Sequence, residues 1–556
     1  MINFIVIFFQ FLITFLIGRT FYIFIEKKLI KNSNKKIFDL QPYNFYLLFG
    51  LFVIGNLTVL INFFTGSNNI IFQIFLILIA GVNIFYFPEI KKINFHVIIP
   101  AFITYLMIFT STYNAGLSKD SDTYHLNNQL FIREESLLLG LSNLHHRYGF
   151  SSIWEYILSN FWFENNLVFL NTPHLILLYS LYVFLIAFVY HKNLYFKKIA
   201  FIIALYGLLD NFGFEGGRNG FVAIDEIGAF DNSFGILFVI TSIFLIFSYI
   251  NQKVSIFDLF VLGILILLLG QLRYFGFIFF LPYSILLFKK ISNIKEYIYP
   301  LSFGILVSIS WFLKNVLISS CLIYPIYQTC IQSLSWYQKD QAKVVSLSIL
   351  GHPRNPNDIF LPFNDFQWIS EWMVDNSGYL FNFMISLVLI KVLCFNLPNK
   401  LFITGFTLSL LLLSIWFFLT PAYRFAPPVF ILALLLLNLD YLKSEKNIVI
   451  LGKEIVLMAF VLSCAFLTVR LDSYLAFIEK PFDSHIVNTS TIEYLQRGEY
   501  FGVKPIEGKT CFLNKDCFPD DYEVIIDKNQ FYKEVKPVDR FYWTEFLKNL
   551  SSKKSI

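Results

Sequence analysis

The residues best suited to chemistry lie close together in the first third of the chain. Two aspartates, three histidines and two arginines occur there within about thirty residues, although only 15% of all residues are charged. The carboxylates of Asp120 and Asp122 could accept a proton, and the imidazoles of His125, His145 and His146 could donate hydrogen bonds to an anion. Alternatively, the aspartates only cap a helix and the histidines lie at the membrane surface. Because ionisable groups beside lipid are costly, the set as a whole favours a functional role.

This cluster opens a polar segment that follows directly after an apolar one. Asp120, Ser121 or Asp122 can cap a helix that runs to about Leu139 and ends at Gly140. In such a helix Asp122 and His125 lie one turn apart on the same face. The sequence therefore predicts that an acid and an imidazole are presented together.

The composition decides what kind of protein carries this cluster. The chain has 556 residues, of which 56% are hydrophobic, and its mean hydropathy is +0.63. An ordinary soluble enzyme has about 25% charged residues, and a disordered chain has far less apolar side chain. The net charge of +5 is spread over many short loops, so nucleic acid is not an expected partner. We therefore expect an all-α polytopic membrane protein.

Apolar segments long enough to span a bilayer recur along the chain. A span needs about 20 apolar residues, and this criterion predicts about 14 spans. Segment 254–288 is either one long tilted helix or a hairpin broken near Arg273; all Lys/Arg-rich loops face the cytoplasm if it is a hairpin. The predicted spans begin near residues 4, 43, 70, 97, 166, 199, 233, 256, 272, 298, 377, 401, 428 and 450.

The long polar segments then face the opposite, periplasm-like side of the membrane, where we expect the working site. Residues 1–470 are predicted to form the transmembrane domain and residues 471–556 a small outer domain. On that oxidising side Cys321 could pair with Cys330 and Cys511 with Cys517, or all four could stay thiols. The outer segments are about 115–165, 212–232, 320–376 and 420–427.

Three short motifs resemble a known superfamily. D-x-Y-H at 122–125, followed by G-L-x-N-L-H-x-R-x-G-F-x-S at 140–152, resembles bacterial membrane proteins linked to surface polysaccharides. These are similar to the GT-C glycosyltransferases. W-x-x-K-N and I-Y-P within 311–325 match part of a stretch common in such proteins, and P-A-Y-R-F at 421–425 resembles a late P-x-x-R-F turn.

The resemblance implies an activity and its partners. GT-C enzymes transfer a sugar from a polyprenyl-phosphate carrier, so it implies that donor, a glycan or lipid acceptor, and contact with membrane lipid. The acid that these enzymes carry in the first outer loop matches Asp122, which is therefore the predicted general base. Asp120 and Asp122 could instead flank a divalent metal such as Mg²⁺ or Mn²⁺, as acids do in some members.

A departing phosphate needs no acid catalyst if cations hold its charge. Cations at the predicted outer ends of spans are candidates for this role, with histidines as further donors, although each alone could be a plain interfacial anchor. The candidate donor-phosphate residues are Arg273, Lys314, Arg424, His125, His145 and His146.

Two other polar segments are candidates for the acceptor side. Asp225 and Glu226 lie in a Gly-rich acidic loop that could cover the site, add a metal ligand or be a solvated connector. Trp336 and Trp368 would be exposed aromatic residues, which stack on sugar faces or belong to an interfacial belt.

Two other classes of protein are alternatives to a transferase. An O-antigen polymerase or ligase usually depends on a large loop between late spans, whereas the acid and histidine cluster lies early. A lipid-linked-glycan flippase or transporter predicts charges near mid-membrane and repeat symmetry. The main charges instead cluster at one predicted face.

The predicted sidedness can be tested by cysteine labelling. The variant Asp122→Cys should react with an impermeant maleimide added outside intact cells, because residue 122 is predicted to face outward. The control Lys290→Cys lies in a predicted cytoplasmic loop and should react only after permeabilisation. The reverse pattern would invert the topology.

Overall fold

The fold is described from a computed structural model. From residue 2 to residue 444 it describes the chain except for 30–36, 84–94, 111–119, 164–165, 213–226, 252–253, 291–293, 352–365, 367, 394–399 and 420. Beyond residue 444 it describes four short strands and residues 471–472, 475, 478, 539, 541–545 and 547.

Apolar α-helices dominate the described residues, and their large side chains form one extensive buried cluster. The helices are α1 Ile2–Phe24, α2 Tyr46–Asn62, α3 Ile70–Gly81, α4 Phe95–Thr110, α5 Leu126–Glu134, α6 Ile153–Leu158, α7 Thr172–Val189, α8 Leu194–Phe212, α9 Asp231–Ile250, α10 Ile256–Leu272, α11 Phe280–Lys290, α12 Ile294–Ser319, α13 Gln341–Gly351, α14 Trp368–Asp375, α15 Ser377–Leu393, α16 Lys400–Leu419, α17 Ala426–Leu437 and α18 Leu439–Lys443.

The protein is a multi-pass helical membrane protein. Among the described residues, six helical segments are long and apolar enough to cross a bilayer, or seven if α14 and α15, bent by 69°, form one broken span. The six are Phe4–Lys27, Pro42–Asn62, Leu167–Val189, Asp231–Ile250, Pro300–Ser319 and Lys400–Leu419. A helix also lies at each predicted start from 4 to 428, but several are short, so 14 crossings remain a prediction. The start near 450 lies outside the described residues.

The chain reverses at Arg273, as the distribution of Lys and Arg predicted. Helix α10 ends there because Arg273 is extended, with φ −146° and ψ 136°. A 3₁₀ segment, Tyr274–Phe279, then leads into α11, which runs back along α10. The hydroxyl of Tyr283 donates to the carbonyl of Leu259 at 2.9 Å. Segment 254–288 is therefore a hairpin, and Arg273 lies at its turn.

The first polar loop, residues 120–163, folds into short helices against the bundle. The helix predicted to run to Leu139 ends earlier, at Glu134. The reason is tertiary, since the amide of Asn62 donates to the carbonyl of Glu135 at 2.9 Å and the Asn62 carbonyl accepts from Leu137 N at 2.7 Å. Gly140 has the left-handed conformation, with φ 69°, as expected at a reversal of the chain.

A disulfide joins Cys321 to Cys330, which is one of the two pairings predicted as possible. The other pair, Cys511 and Cys517, lies outside the described residues. The disulfide closes a short loop directly after α12, and the Cys321 end of that loop is buried.

Among the described C-terminal residues, strands pair antiparallel, β1 Tyr494–Gln496 with β2 Val503–Pro505 and β3 Val524–Lys528 with β4 Lys533–Pro537. Strand β4 also pairs with the first polar loop, because Val535 N donates to the carbonyl of Leu139 at 2.8 Å. The side chain of Val535 is fully buried there.

Docking of β4 should depend on that buried valine. The variant Val535→Asp places an unpaired carboxylate in an apolar contact, which is costly. We expect limited proteolysis in detergent to release the C-terminal segment much faster than from the wild type, while the helix content stays unchanged. The matched control Phe541→Asp alters a side chain that is 55% exposed, and its digestion should follow the wild type. Equal protection of Val535→Asp and wild type would contradict this docking.

Candidate functional site

The ends of three helices bring distant charges to one place. Asp231 is the first residue of α9, Arg273 follows the last residue of α10, and Arg424 lies in the turn Tyr423–Phe425 just before α17. The helix dipole favours an acid at the start of α9 and a cation at the end of α10. Two of the three charges are thus stabilised by the helices that carry them.

Asp231 binds both arginines. One guanidinium nitrogen of Arg273 donates to Asp231 Oδ1, and Nε of Arg424 lies 3.3 Å from Asp231 Oδ2. Asp231 is thus the carboxylate that these two guanidinium groups share. The Arg424 side chain is 58% exposed, so its guanidinium group is open to a ligand. Both arginines are residues that the sequence predicted for the phosphate site, and the structure brings them together.

Aromatic rings enclose this charge cluster. The Arg273 guanidinium carbon lies 4.9 Å from the ring centre of Phe230 and 4.5 Å from that of Phe425. Phe230 also contacts His125, whose ring meets it edge-on at 5.2 Å. Phe230 is therefore in contact with both a predicted cation and a predicted histidine.

The segment before α9 is held against the first polar loop at Gly228. The hydroxyl of Ser121 donates to the carbonyl of Ile227. Gly228 has φ 85°, and a side chain on it would collide with the Ser121 hydroxyl. This close approach needs glycine, and it fixes Phe230 and Asp231 relative to His125.

Tyr124 connects the cluster to Asp120. Burial and the nearby Asp120 carboxylate, which is hydrogen-bonded to the phenol, raise the pKa of Tyr124, while Arg147 and Arg273 oppose that rise. Asp120 makes no side-chain hydrogen bond to the helix that it precedes. Helix capping therefore does not explain why an acid stands at this position. The phenol stays protonated at neutral pH and donates that proton to the Asp120 carboxylate.

His145 and His146 continue the site as a row of stacked rings. Tyr124 lies 5.8 Å from His145, and His145 lies 4.7 Å from His146. Nδ1 of His145 accepts from the backbone N–H of Arg147 at 3.0 Å. Since that nitrogen is an acceptor, the neutral ring carries its proton on Nε2 and can donate there.

Lys314 lies behind this site instead of within it. Its ammonium group is fully buried, donates to the carbonyl of Ser151 at 2.6 Å and lies 3.3 Å from the centre of the Trp311 ring. Among the described residues it has no contact with Arg273 or Arg424. Its hydrogen bond to Ser151 braces the first polar loop, whose Ser152 hydroxyl in turn donates to the carbonyl of Leu272 at 2.8 Å.

The tryptophans predicted to contact the acceptor differ in exposure. Trp368 is only 4% exposed because it packs against Phe417 of α16, so the expectation of an exposed ring is wrong for this residue. Trp336 is half-buried, and its indole N–H donates to the carbonyl of Val316 at 3.2 Å. Asp225 and Glu226 lie outside the described residues.

Asp122, the predicted base, lies by its backbone in the π-helical turn Ser121–His125, and its side chain is outside the described part of the chain. Within the part that is described, no group of three or more His, Cys, Asp or Glu side chains could hold a metal ion. A metal between Asp120 and Asp122 therefore stays a prediction.

Two carboxylates were not recognised as partners from the sequence. Asp231 joins the arginines, and Glu155 pairs with Nδ1 of His125. A local signal existed for Glu155, since it is the one charge in the helix Ile153–Leu158. Asp231 looks like an ordinary first residue of a helix, so its role depends on the folded structure.

The family described as Domain of unknown function (DUF8201) matches residues 1–431 of the chain. The chain belongs to the DUF8201 family. The DUF8201 match includes Asp120, Asp231, Arg273 and Arg424, and it ends before the C-terminal strands. No curated protein and no solved structure matches the chain.

The shared carboxylate should compete with an anion for the two arginines. Asp231→Asn removes one negative charge, so we expect inorganic phosphate to bind about fivefold more tightly, from roughly 1 kcal/mol for a solvated charge pair. Isothermal titration of the detergent-solubilised protein measures this. The control Asp539→Asn removes an exposed carboxylate in the C-terminal segment and should leave the affinity unchanged. No gain with Asp231→Asn would show that these arginines do not bind the phosphate.

Proposed function

We propose that the protein is a GT-C-type membrane glycosyltransferase, which moves a sugar from a polyprenyl-phosphate donor to a glycan or lipid acceptor. The observation that carries the proposal is the pair of arginines that share Asp231 at the ends of apolar helices. We further propose that this site faces the periplasm from the inner membrane of a bacterium.

The phosphate and the prenyl chain of the donor both suit the chemical surroundings of the arginines. Its phosphate is anionic, and a guanidinium group offers several donors in a fixed planar arrangement that suits phosphate oxygens. Its prenyl chain is apolar, as are helices α9, α10 and α17, whose ends carry or adjoin these charges. The rings of Phe230 and Phe425 keep part of the water away from Arg273, which strengthens its attraction for an anion.

The reaction makes few demands on the protein. The anomeric carbon exchanges its bond to the phosphate oxygen for a bond to an acceptor oxygen. Arg273 and Arg424 stabilise the charge that develops on the departing phosphate, so no acid catalyst is required. The acceptor hydroxyl must lose its proton. Asp122 is the base predicted from the sequence for this step, alone or with a divalent metal that Asp120 would help to hold.

The alternatives are a polymerase or ligase of lipid-linked glycans and a flippase or transporter. The position of the charges favours a transferase over a transporter, because the triad of Asp231, Arg273 and Arg424 lies at helix ends and not in the middle of helices.

The proposal predicts a selective loss of donor binding. Charge-assisted hydrogen bonds contribute about 1.5–3 kcal/mol each, so Arg273→Gln and Arg424→Gln should each lower kcat/KM for the donor roughly 10- to 100-fold. Transfer from a panel of polyprenyl-phosphate sugars by the purified protein measures this, with the KM for the acceptor expected to stay within about twofold.

Lys339→Gln is the matched control, because it also removes one positive charge from an exposed loop but lies next to Phe541 instead of Asp231. It should behave like the wild type. An equal decrease in kcat/KM for the donor and for the acceptor in the arginine variants would contradict a phosphate site. No transfer by the wild type from any donor of the panel would contradict the transferase.

A further inference from the structure

Glu155 is a buried carboxylate in an otherwise apolar helix. All six residues of α6 are buried, and Glu155 itself is 2% exposed. An ionised carboxylate in such a place is costly unless hydrogen-bond donors or an opposite charge compensate it. Its partners therefore indicate what it does.

Each oxygen of Glu155 has a different partner. Oε1 contacts Nδ1 of His125, and Oε2 accepts from the side-chain amide of Gln129 at 2.8 Å. The orientation of that amide is set in turn, because Gln129 Oε1 accepts from the indole N–H of Trp162 at 2.9 Å. The indole thus donates to the amide and the amide to the carboxylate, and the second oxygen of that carboxylate accepts from the imidazole.

This arrangement fixes the tautomer of His125. With Glu155 as the acceptor, the proton of the neutral ring lies on Nδ1, and Nε2 keeps a lone pair. The His125 side chain remains 9% exposed. Glu155 thus prepares Nε2 to accept a proton and stabilises the imidazolium that results.

The position of His125 links this nitrogen to the arginines. Its ring contacts Phe230, and the Phe230 ring also contacts the Arg273 guanidinium. His125 also lies 4.2 Å from the ring of Tyr124. The imidazole and the guanidinium therefore share one aromatic neighbour.

We propose that His125, positioned by Glu155, is the base that deprotonates the acceptor hydroxyl. This inference rests on the proposed function and gives to His125 the step that the sequence analysis gave to Asp122. The hydroxyl proton moves to Nε2, and the acceptor oxygen forms its bond to the anomeric carbon. The bond from that carbon to the phosphate oxygen breaks, and its electron pair leaves with the polyprenyl phosphate. The imidazolium later releases its proton to water.

The pairing has a test that needs no turnover. Diethylpyrocarbonate modifies the unprotonated imidazole nitrogen, and peptide mass spectrometry measures the rate at each histidine. In Glu155→Gln the new amide can donate to Nδ1 and move the ring proton to Nε2, so His125 should react about tenfold more slowly than in the wild type. His191 is the internal reference and should not change. An equal rate at His125 in both proteins would overturn the proposed positioning.

The catalytic role is tested by turnover with polyprenyl-phosphate sugars. His125→Gln should lower kcat about 10²- to 10⁴-fold with little change in the KM for the donor, as for loss of a general base. Glu155→Asp should retain more activity than Glu155→Gln, because it keeps the acceptor for Nδ1. The matched control Glu134→Gln changes an exposed glutamate of the same loop and should keep wild-type activity.

Folding is checked separately by gel filtration and thermal unfolding. If His125→Gln does not fold, the variant His125→Ala replaces it, and added imidazole should restore its activity by taking the place of the missing side chain. Failure of this rescue in a folded His125→Ala protein would overturn the base role. Wild-type turnover by His125→Gln together with an inactive Asp122→Asn would also overturn it and would assign the base to Asp122. An inactive wild type with the expected carbethoxylation pattern would overturn the transferase but not the pairing.

Discussion

The site depends on one carboxylate that serves two arginines. Asp231 begins an apolar helix, and its two oxygens hold Arg273 at the end of a second helix and Arg424 before a third. Charges at the edge of an apolar bundle are expensive, and pairing lowers that cost. The same contacts also join α9, α10 and α17. The arrangement that attracts an anion is thus part of what holds these helix ends together.

A second buried acid organises the first polar loop. Among the described residues, the carboxylate of Glu155 is paired with the His125 imidazole and the Gln129 amide and with no arginine or lysine. Lys314 performs a different task nearby, since it binds the carbonyl of Ser151 and lies over an indole ring. The loop is therefore held from two directions, and the imidazole has a defined orientation beside the arginines.

The C-terminal segment is part of the same assembly. Strand β4 pairs with Leu139, and the Asn143 amide donates to the Val535 carbonyl at 3.0 Å. The Trp543 ring lies 5.9 Å from His146, so this segment closes the row of stacked rings that begins at Tyr124. The DUF8201 match ends well before this segment. The ring that contacts His146 from the C-terminal side therefore belongs to a part of the chain outside that match.

The sequence alone determined the helices and much of the site. Long apolar runs predict helices because lipid leaves backbone polar groups no other partner, and the basic loops predicted the turn at Arg273. Tertiary structure decided the rest. Helix α5 ends early because Asn62 captures the following backbone, and Trp368 is buried by a helix distant in sequence. The pairing of Asp231 with the arginines, and of Glu155 with His125, likewise joins residues far apart along the chain. A sequence pattern records which charges exist, whereas only packing brings one within hydrogen-bond distance of another.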